Sequence, residues 1–348
     1  MHSSPTRRGA LAAALAATMC AALAACNNSG GGAGGESSEL NIALPTGVTS
    51  FANSDVVVAD ELGYFEDVGL TVNLTNLRSG SSVTTGVVGG EFEIGGASIE
   101  PVINAYAGGG TVRIIGSYTD RLEVEMVTPD DIASVEDLRG ASLGIQEIGA
   151  FREVMTRMVL EGAGMTQNDV SYVSVGSDAY VSALIQRQIA SAVLHPEQRI
   201  QAQQEDESLH SLINLSEVEP DYYYGTYFTS TDFLAENPET AAAFTEAITR
   251  AHRTMYEDRE AVVPIIAEAT GMSEDIIDGA WEVYMEQVCA FPVNEGLDAD
   301  RLDYTLQRME EMATLAEGAE VDLNELVDRG PIETAVQNLG TADERCGP

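Results

Sequence analysis

The chain has 348 residues, with 56 acidic against 17 basic side chains and a formal charge of -39. A body this acidic is a poor partner for nucleic acid or for an anionic membrane surface. Every basic residue other than histidine is arginine, and the lack of lysine excludes a Walker A phosphate loop, a Schiff-base enzyme and a Ser-x-x-Lys nucleophile.

Arg7 and Arg8 precede a run from Ala10 to Ala25 built almost wholly of Ala, Leu and Met. A charged start and a short apolar block predict an export signal over residues 1–25 rather than a spanning helix, with Sec and twin-arginine routes both open. Leu23-Ala24-Ala25-Cys26 resembles the lipobox of bacterial lipoproteins, which implies lipidation of Cys26 and a location on the outer face of the cytoplasmic membrane of a bacterial cell. Loss of the two signal arginines takes the charge from -39 to -41. Residues 26–38 form a Gly/Ser/Asn leash with a root-mean-square span of roughly 20 Å for a dozen residues. Of the remaining cysteines, Cys289 and Cys346 form an even pair in an oxidising compartment and are expected to be bonded; neither has metal-ligand spacing.

The mature length exceeds what one core usually carries, so two lobes are expected. Leu40 to Leu44 reads as a strand, Asp55 to Leu62 as a helix and Leu70 to Leu74 as a strand. A helix over Ser82 to Val88, a strand at Phe92 to Ile94, a helix from Pro101 to Ala107 and a strand from Val112 to Ile115 continue the alternation. The cycle restarts with strands at Leu122 to Val127 and Leu143 to Ile145. It continues through a helix from Glu153 to Leu160, a strand from Val170 to Val175, a helix from Tyr180 to Ile189 and a strand from Ala192 to Leu194. Such alternation predicts parallel, doubly wound sheets. Beyond Asp221 the chain reads as helical. Pro238 follows an Asn237 cap, Phe244, Ile248, Ala251 and Met255 share one face, Ser273 caps a helix through Trp281, and Leu302, Leu306, Met309 and Ala313 form a further stripe.

Four segments carry a family resemblance: ADELGYFEDVGLTV from Ala59, GVVGGEFEIGG from Gly86, VEDLRGASLGI from Val135 and ALIQRQIASAVLHP from Ala183. In that order and spacing, with EGAG at Glu161 and TDFLAENP at Thr231, the chain resembles substrate-binding proteins of ABC importers. The branch is the one taking nitrate, taurine, aliphatic sulfonates or thiamine-pyrimidine precursors. The resemblance implies a hinge-closing α/β binder with lobe 1 over residues 39–120 plus 226–348 and lobe 2 over 121–225. It also implies extra C-terminal helices, a small-molecule ligand, permease transmembrane subunits as partners, and a monomer without cofactor or metal.

Ligands of doubly wound sheets sit beyond the carboxyl ends of strands. That rule selects Ser50, Phe51, Ser81, Ser98 and Glu100 on the first lobe, Phe151, Arg152, His195 and Glu197 on the second, and Tyr224 on the returning hinge. An anion pocket would use helix N-termini, hydroxyls and Arg152, although Arg152 is also placed to pair with Glu153. A nitrogen heterocycle would use aromatic faces and the carboxylates of Glu100 and Glu197, and the acidic residues favour this second chemistry. Fungal enzymes that make the thiamine pyrimidine share the fold implied here and need a Schiff-base lysine, which this chain lacks; a binder is expected rather than an enzyme.

Overall fold

The computed structural model describes residues 38–315 and 318–345; the expected signal, Cys26 and Cys346 lie outside the described residues. Its strands in chain order are β1 (Ser38–Leu44), β2 (Leu70–Asn76), β3 (Ile94–Ser98), β4 (Val112–Gly116), β5 (Glu125–Pro129), β6 (Ser142–Ile145), β7 (Ser171–Ser174), β8 (Ser191–Leu194), β9 (Leu209–Asn214) and β10 (Gly225–Ser230). They form two five-stranded sheets, ordered β2-β1-β3-β10-β4 and β7-β6-β8-β5-β9. Helices pack on both, giving the expected pair of α/β layers.

The sheets are mixed rather than wholly parallel. In the first, β10 runs antiparallel to both neighbours, and in the second β5 does the same. The reason is connectivity. The chain leaves the first sheet at the end of β4 and the second at the end of β9, so the carboxyl ends of the parallel strands face the two crossing segments. A strand arriving from a crossing must begin at that same edge, which reverses it.

Other boundaries shift for local reasons. The strand expected at Phe92 to Ile94 is β3, which starts at Ile94 and runs through Gly95-Gly96-Ala97-Ser98. The strand-exit rule places Ser98 beyond this strand, yet Gly95 to Ser98 lie within it at the sheet centre, where a Cβ on Gly95 would meet the Phe228 ring at 2.6 Å. The strand expected from Leu122 begins only at Glu125, and residues 122–124 belong to the first crossing. Helix Tyr180–Ile185 stops short of the expected Ile189, and Arg187 sits beyond it at φ +57°. The stretch after Asp221 opens with strand β10 before it becomes helical.

The C-terminal helices follow the expected stripes. Pro238–Glu257 buries Phe244, Ile248, Ala251 and Met255. Glu274–Trp281 continues as a wider π-helical segment, Glu282–Val288, that ends where Cys289 takes φ +53°. Ala299–Glu311 buries Leu302 and Met309, while Ala313 lies past its end at φ +50° and leaves the expected stripe. One apolar cluster runs from Leu40 and Leu44 of the first sheet through Tyr224 and Tyr284 to Met126 and Val193 of the second. Beside it Asp55 accepts hydrogen bonds from the Tyr227 hydroxyl (2.7 Å) and His252 Nε2 (2.8 Å), fastening helix Asp55–Glu61 to β10 and to the long C-terminal helix. No helix among the described residues is long and apolar enough to cross a membrane.

Candidate functional site

Residues 117–124 and 215–224 make the two crossings, and the edges of both sheets converge on them. Both crossings deliver aromatic side chains into the gap, and the first adds an acid. Tyr118 comes from the first, packed edge-on against Tyr224 (5.6 Å between centroids) and Tyr227 (5.7 Å). Its ring lies so close to Gly225 that a Cβ there would stand 2.1 Å from Tyr118 Cε2, so this turn requires glycine. Glu123, also on the first crossing, is fully buried.

Glu123 Oε1 lies 2.7 Å from Nδ1 of His195, the residue that opens helix Pro196–Glu205. Desolvation pushes the Glu123 carboxyl up to about 8 and the His195 imidazole down to about 3. At neutral pH the pair therefore holds one proton between two neutral partners. Tyr284 donates to Glu123 Oε1 and to Glu197 Oε2, each at 3.3 Å. Glu197 Oε1 accepts the Phe51 backbone N-H at 3.2 Å, a bond that joins the first sheet's β1 exit to the second sheet's helix. Burial raises the Glu197 carboxyl above its ordinary range. It raises Glu100 likewise, although that carboxylate accepts the Tyr222 hydroxyl at 2.8 Å.

Aromatic faces enclose the acids. Phe51 stacks on Tyr284 with centroids 4.3 Å apart and planes 8° from parallel, and Phe291 closes against both. Phe151 packs on Tyr224 at 4.2 Å and stacks with His195 at 6.1 Å, while the Tyr224 hydroxyl reaches His195 Nε2 at 3.5 Å. Two buried carboxylate oxygens in this nest, Glu100 Oε2 and Glu123 Oε2, make no hydrogen bond at ordinary distance, although the Ser98 hydroxyl lies near Glu100, while the Tyr118 hydroxyl is shared between Tyr224 and Asn53. Isolated buried polar atoms of this kind are costly, and their clustering marks a place built to receive hydrogen bonds. A cleft of about 200 Å³ lined by Thr49, Ser50, Arg152, Ser177, Asp178, His195 and Glu197 borders the nest through His195 and Glu197.

The structure therefore gathers Phe51, Phe151, His195, Glu197 and Tyr224 around one centre, with Ser50 at its mouth. Ser98 lies against Glu100 at the start of helix Ile99–Ala107. Ser81 stands apart: it is exposed and bonds Glu147 across the opposite rim, where Gln146 also reaches the Arg78 carbonyl. Arg152 is buried in the wall of the cleft. Its guanidinium donates to the Val193 carbonyl and to Gln198 Oε1 (3.0 Å) and lies 4.4 Å over the Tyr180 ring, so both terminal nitrogens are already engaged within the protein. The expected pairing with Glu153 does not form, because Glu153 binds Arg157 one turn on at 2.5 Å. No cluster of metal-ligating type exists among the described residues. Cys289 is disulfide-bonded.

Glu123, Tyr118, Asn53 and Tyr284 were not foreseen from the sequence. An acid between Leu122 and Val124 reads as the wet face of a strand, and Tyr284 falls on an ordinary helical stripe. Neither carries a motif. The one available signal was the crossing itself: in a two-lobed fold both connecting segments pass the cleft.

Comparison with known proteins agrees with this architecture. The family model described as NMT1/THI5 like matches residues 51–262, more than half of the chain. A 4-amino-5-hydroxymethyl-2-methylpyrimidine phosphate synthase of Aspergillus parasiticus is 25% identical over 256 residues, covering 70% of this chain and 69% of that protein. Among solved structures, the alkanesulfonate-binding protein SsuA from Xanthomonas axonopodis pv. citri bound to MOPS superposes with a TM-score of 0.69 at 17% identity. That match covers 84% of this chain and 99% of that one. The periplasmic nitrate-binding protein NrtA from Synechocystis PCC 6803 gives 0.71 at 13%, covering 88% and 90%. The fold is that of the periplasmic binding proteins. With its family match spanning both sheets, the chain belongs to the NMT1/THI5-like family.

Proposed function

We propose that this protein is an extracytoplasmic substrate-binding lipoprotein of an ABC importer, which captures a pyrimidine-like nitrogen heterocycle between two lobes and hands it to permease subunits. The reading assigns lobe 1 to residues 39–120 plus 226–348 and lobe 2 to 121–225. A monomer is held at the membrane by a lipid on Cys26, and its C-terminal tail is tied by a Cys289–Cys346 bond. One observation carries the choice of ligand: buried carboxylates with unpartnered oxygens stand among stacked aromatic rings. Flat rings bearing N-H groups suit both features.

Alkanesulfonates and nitrate, the ligands in the names of the structural neighbours, are the alternative. They are disfavoured by the position of Arg152, whose two terminal nitrogens each already hold a protein acceptor. The synthase from Aspergillus parasiticus raises an enzymatic reading, disfavoured by the lack of lysine and by the lack of a serine or cysteine nucleophile motif in the sequence to accompany His195.

A thermal-shift screen over aminopyrimidines, alkanesulfonates, taurine and nitrate tests the proposal. A ligand at a hundred times its Kd stabilises by about 2.7 kcal/mol, enough for a shift of several degrees. Shifts are expected with aminopyrimidines. A response confined to sulfonates or nitrate, or turnover of a pyrimidine precursor by the protein alone, overturns it.

A further inference from the structure

The proposed heterocycle site has a charge preference that can be argued further, and the inference rests on that reading. We propose that the bound ligand is a flat monocation presenting two or more N-H donors, of the amidinium, aminopyridinium or protonated aminopyrimidine class, and that Glu123 changes from carboxylic acid to carboxylate as it enters.

Geometry comes first. Glu123 Oε2 and Glu100 Oε2 are buried acceptors with no hydrogen bond at ordinary distance, and the Tyr118 hydroxyl, held by Tyr224 and Asn53, senses both carboxylates. Charged and titratable groups face Glu123 from every element around it. His195 and Glu197 come from the start of helix Pro196–Glu205, Tyr284 from the π-helical segment, Arg152 from helix Phe151–Gly162 and Tyr224 from the second crossing. Of these only Arg152 is a fixed cation, and it is engaged elsewhere. Burial thus keeps Glu123 protonated and raises Glu100 and Glu197 in the same direction. A cation with two N-H vectors supplies both the missing charge and the missing donors.

The proton balance follows. A ligand already cationic in solution displaces the Glu123 proton to bulk water, one proton per binding event. A neutral weak base instead takes that proton onto its ring nitrogen, and none is released. With the free carboxyl raised to about 8, the affinity of a fixed cation improves about tenfold per pH unit as pH rises from 6 and levels off above 8.

Titration calorimetry of the full-length protein at pH 7, in phosphate and in Tris, with 4-aminopyridine as the cation and 4-aminopyrimidine as the neutral base, provides the test. The expected result is release of close to one proton with 4-aminopyridine, near zero with 4-aminopyrimidine, and loss of both the release and the pH slope for 4-aminopyridine in Glu123→Gln. Binding of 4-aminopyridine with no proton release and a flat pH profile overturns the inference and leaves the heterocycle reading standing. So does an unchanged release in Glu123→Gln, while the wild-type arms decide alone if that variant does not fold. Failure of every nitrogen base to bind, with binding of an alkanesulfonate, overturns the reading itself and the inference with it.

Discussion

Glu123→Gln removes a titrating group while keeping its shape, and burial fixes the sign of the effect and sets its scale. The folded carboxyl lies near 8, raised chiefly by desolvation, against an ordinary 4.5. A raised carboxyl contributes stability that is fully present below the unfolded value and is lost as pH rises through the folded one. Over roughly 3.5 units at 1.36 kcal/mol each, that loss is about 5 kcal/mol. Glutamine stays neutral throughout, so the variant escapes it. His195 acts in the opposite sense, since its depressed imidazole gives stability present above 6.5 and lost as pH falls through about 3; both proteins carry it and it cancels in the difference. Urea unfolding at pH 5 and pH 8.5 reads the result. The two proteins are expected to lie within about 1 kcal/mol of each other at pH 5, with the glutamine variant ahead by about 5 kcal/mol at pH 8.5. A difference that does not move with pH would refute the claim that burial holds Glu123 protonated.

Gly225→Ala forces a methyl group into the Tyr118 ring, where the nearest atom would be 2.1 Å away, and overpacking of this kind costs about 1–3 kcal/mol. Because Tyr118 lines the proposed site, the urea midpoint should fall together with heterocycle affinity, and a lower midpoint with unchanged affinity would separate the ring from the site. Cys26→Ser removes the proposed lipid attachment point, so the protein should move from the membrane pellet to the soluble envelope fraction; retention in the pellet argues against the anchor.

Strands made of apolar runs were legible in the sequence. Leu40 to Leu44, Leu70 to Leu74, Val112 to Ile115 and Ala192 to Leu194 all lie inside strands of the structure, because their side chains are what the sheet buries. Strands whose burial comes from neighbours were not. Gly95 and Gly96 in β3 have no side chains of their own because the rings of Phe228 and Tyr227 and the Leu44 side chain cover them. β10 reads GTYFTS, and its threonines are buried by the strands on either side, a setting that composition does not reveal. The candidate site divides in the same way. Residues at strand exits, such as Phe51, Phe151, His195 and Glu197, follow from the rule that clefts form beyond carboxyl ends. Glu123 and Tyr284 depend on how two distant segments cross, and no local pattern encodes a crossing.

Likeness of fold to sulfonate and nitrate binders does not decide the ligand, because the sign of the cleft is set by a handful of side chains that a superposition at 13–17% identity does not constrain. Electrostatics supplies the stronger argument. An anion placed beside Glu100, Glu123 and Glu197 would have to suppress the ionisation of each of them, while Arg152 is already engaged by Val193, Gln198 and the Tyr180 ring. Freeing that arginine would leave the Val193 carbonyl and Tyr180 without their partner, and desolvating the new anion would cost several kcal/mol more. A cation meets the reverse situation. Every acid it ionises becomes an attractive partner, and every unpartnered oxygen becomes an acceptor it can use. The same three carboxyls that penalise one ligand class therefore stabilise the other, which is why the balance rests on where Arg152 points and on which oxygens lack donors.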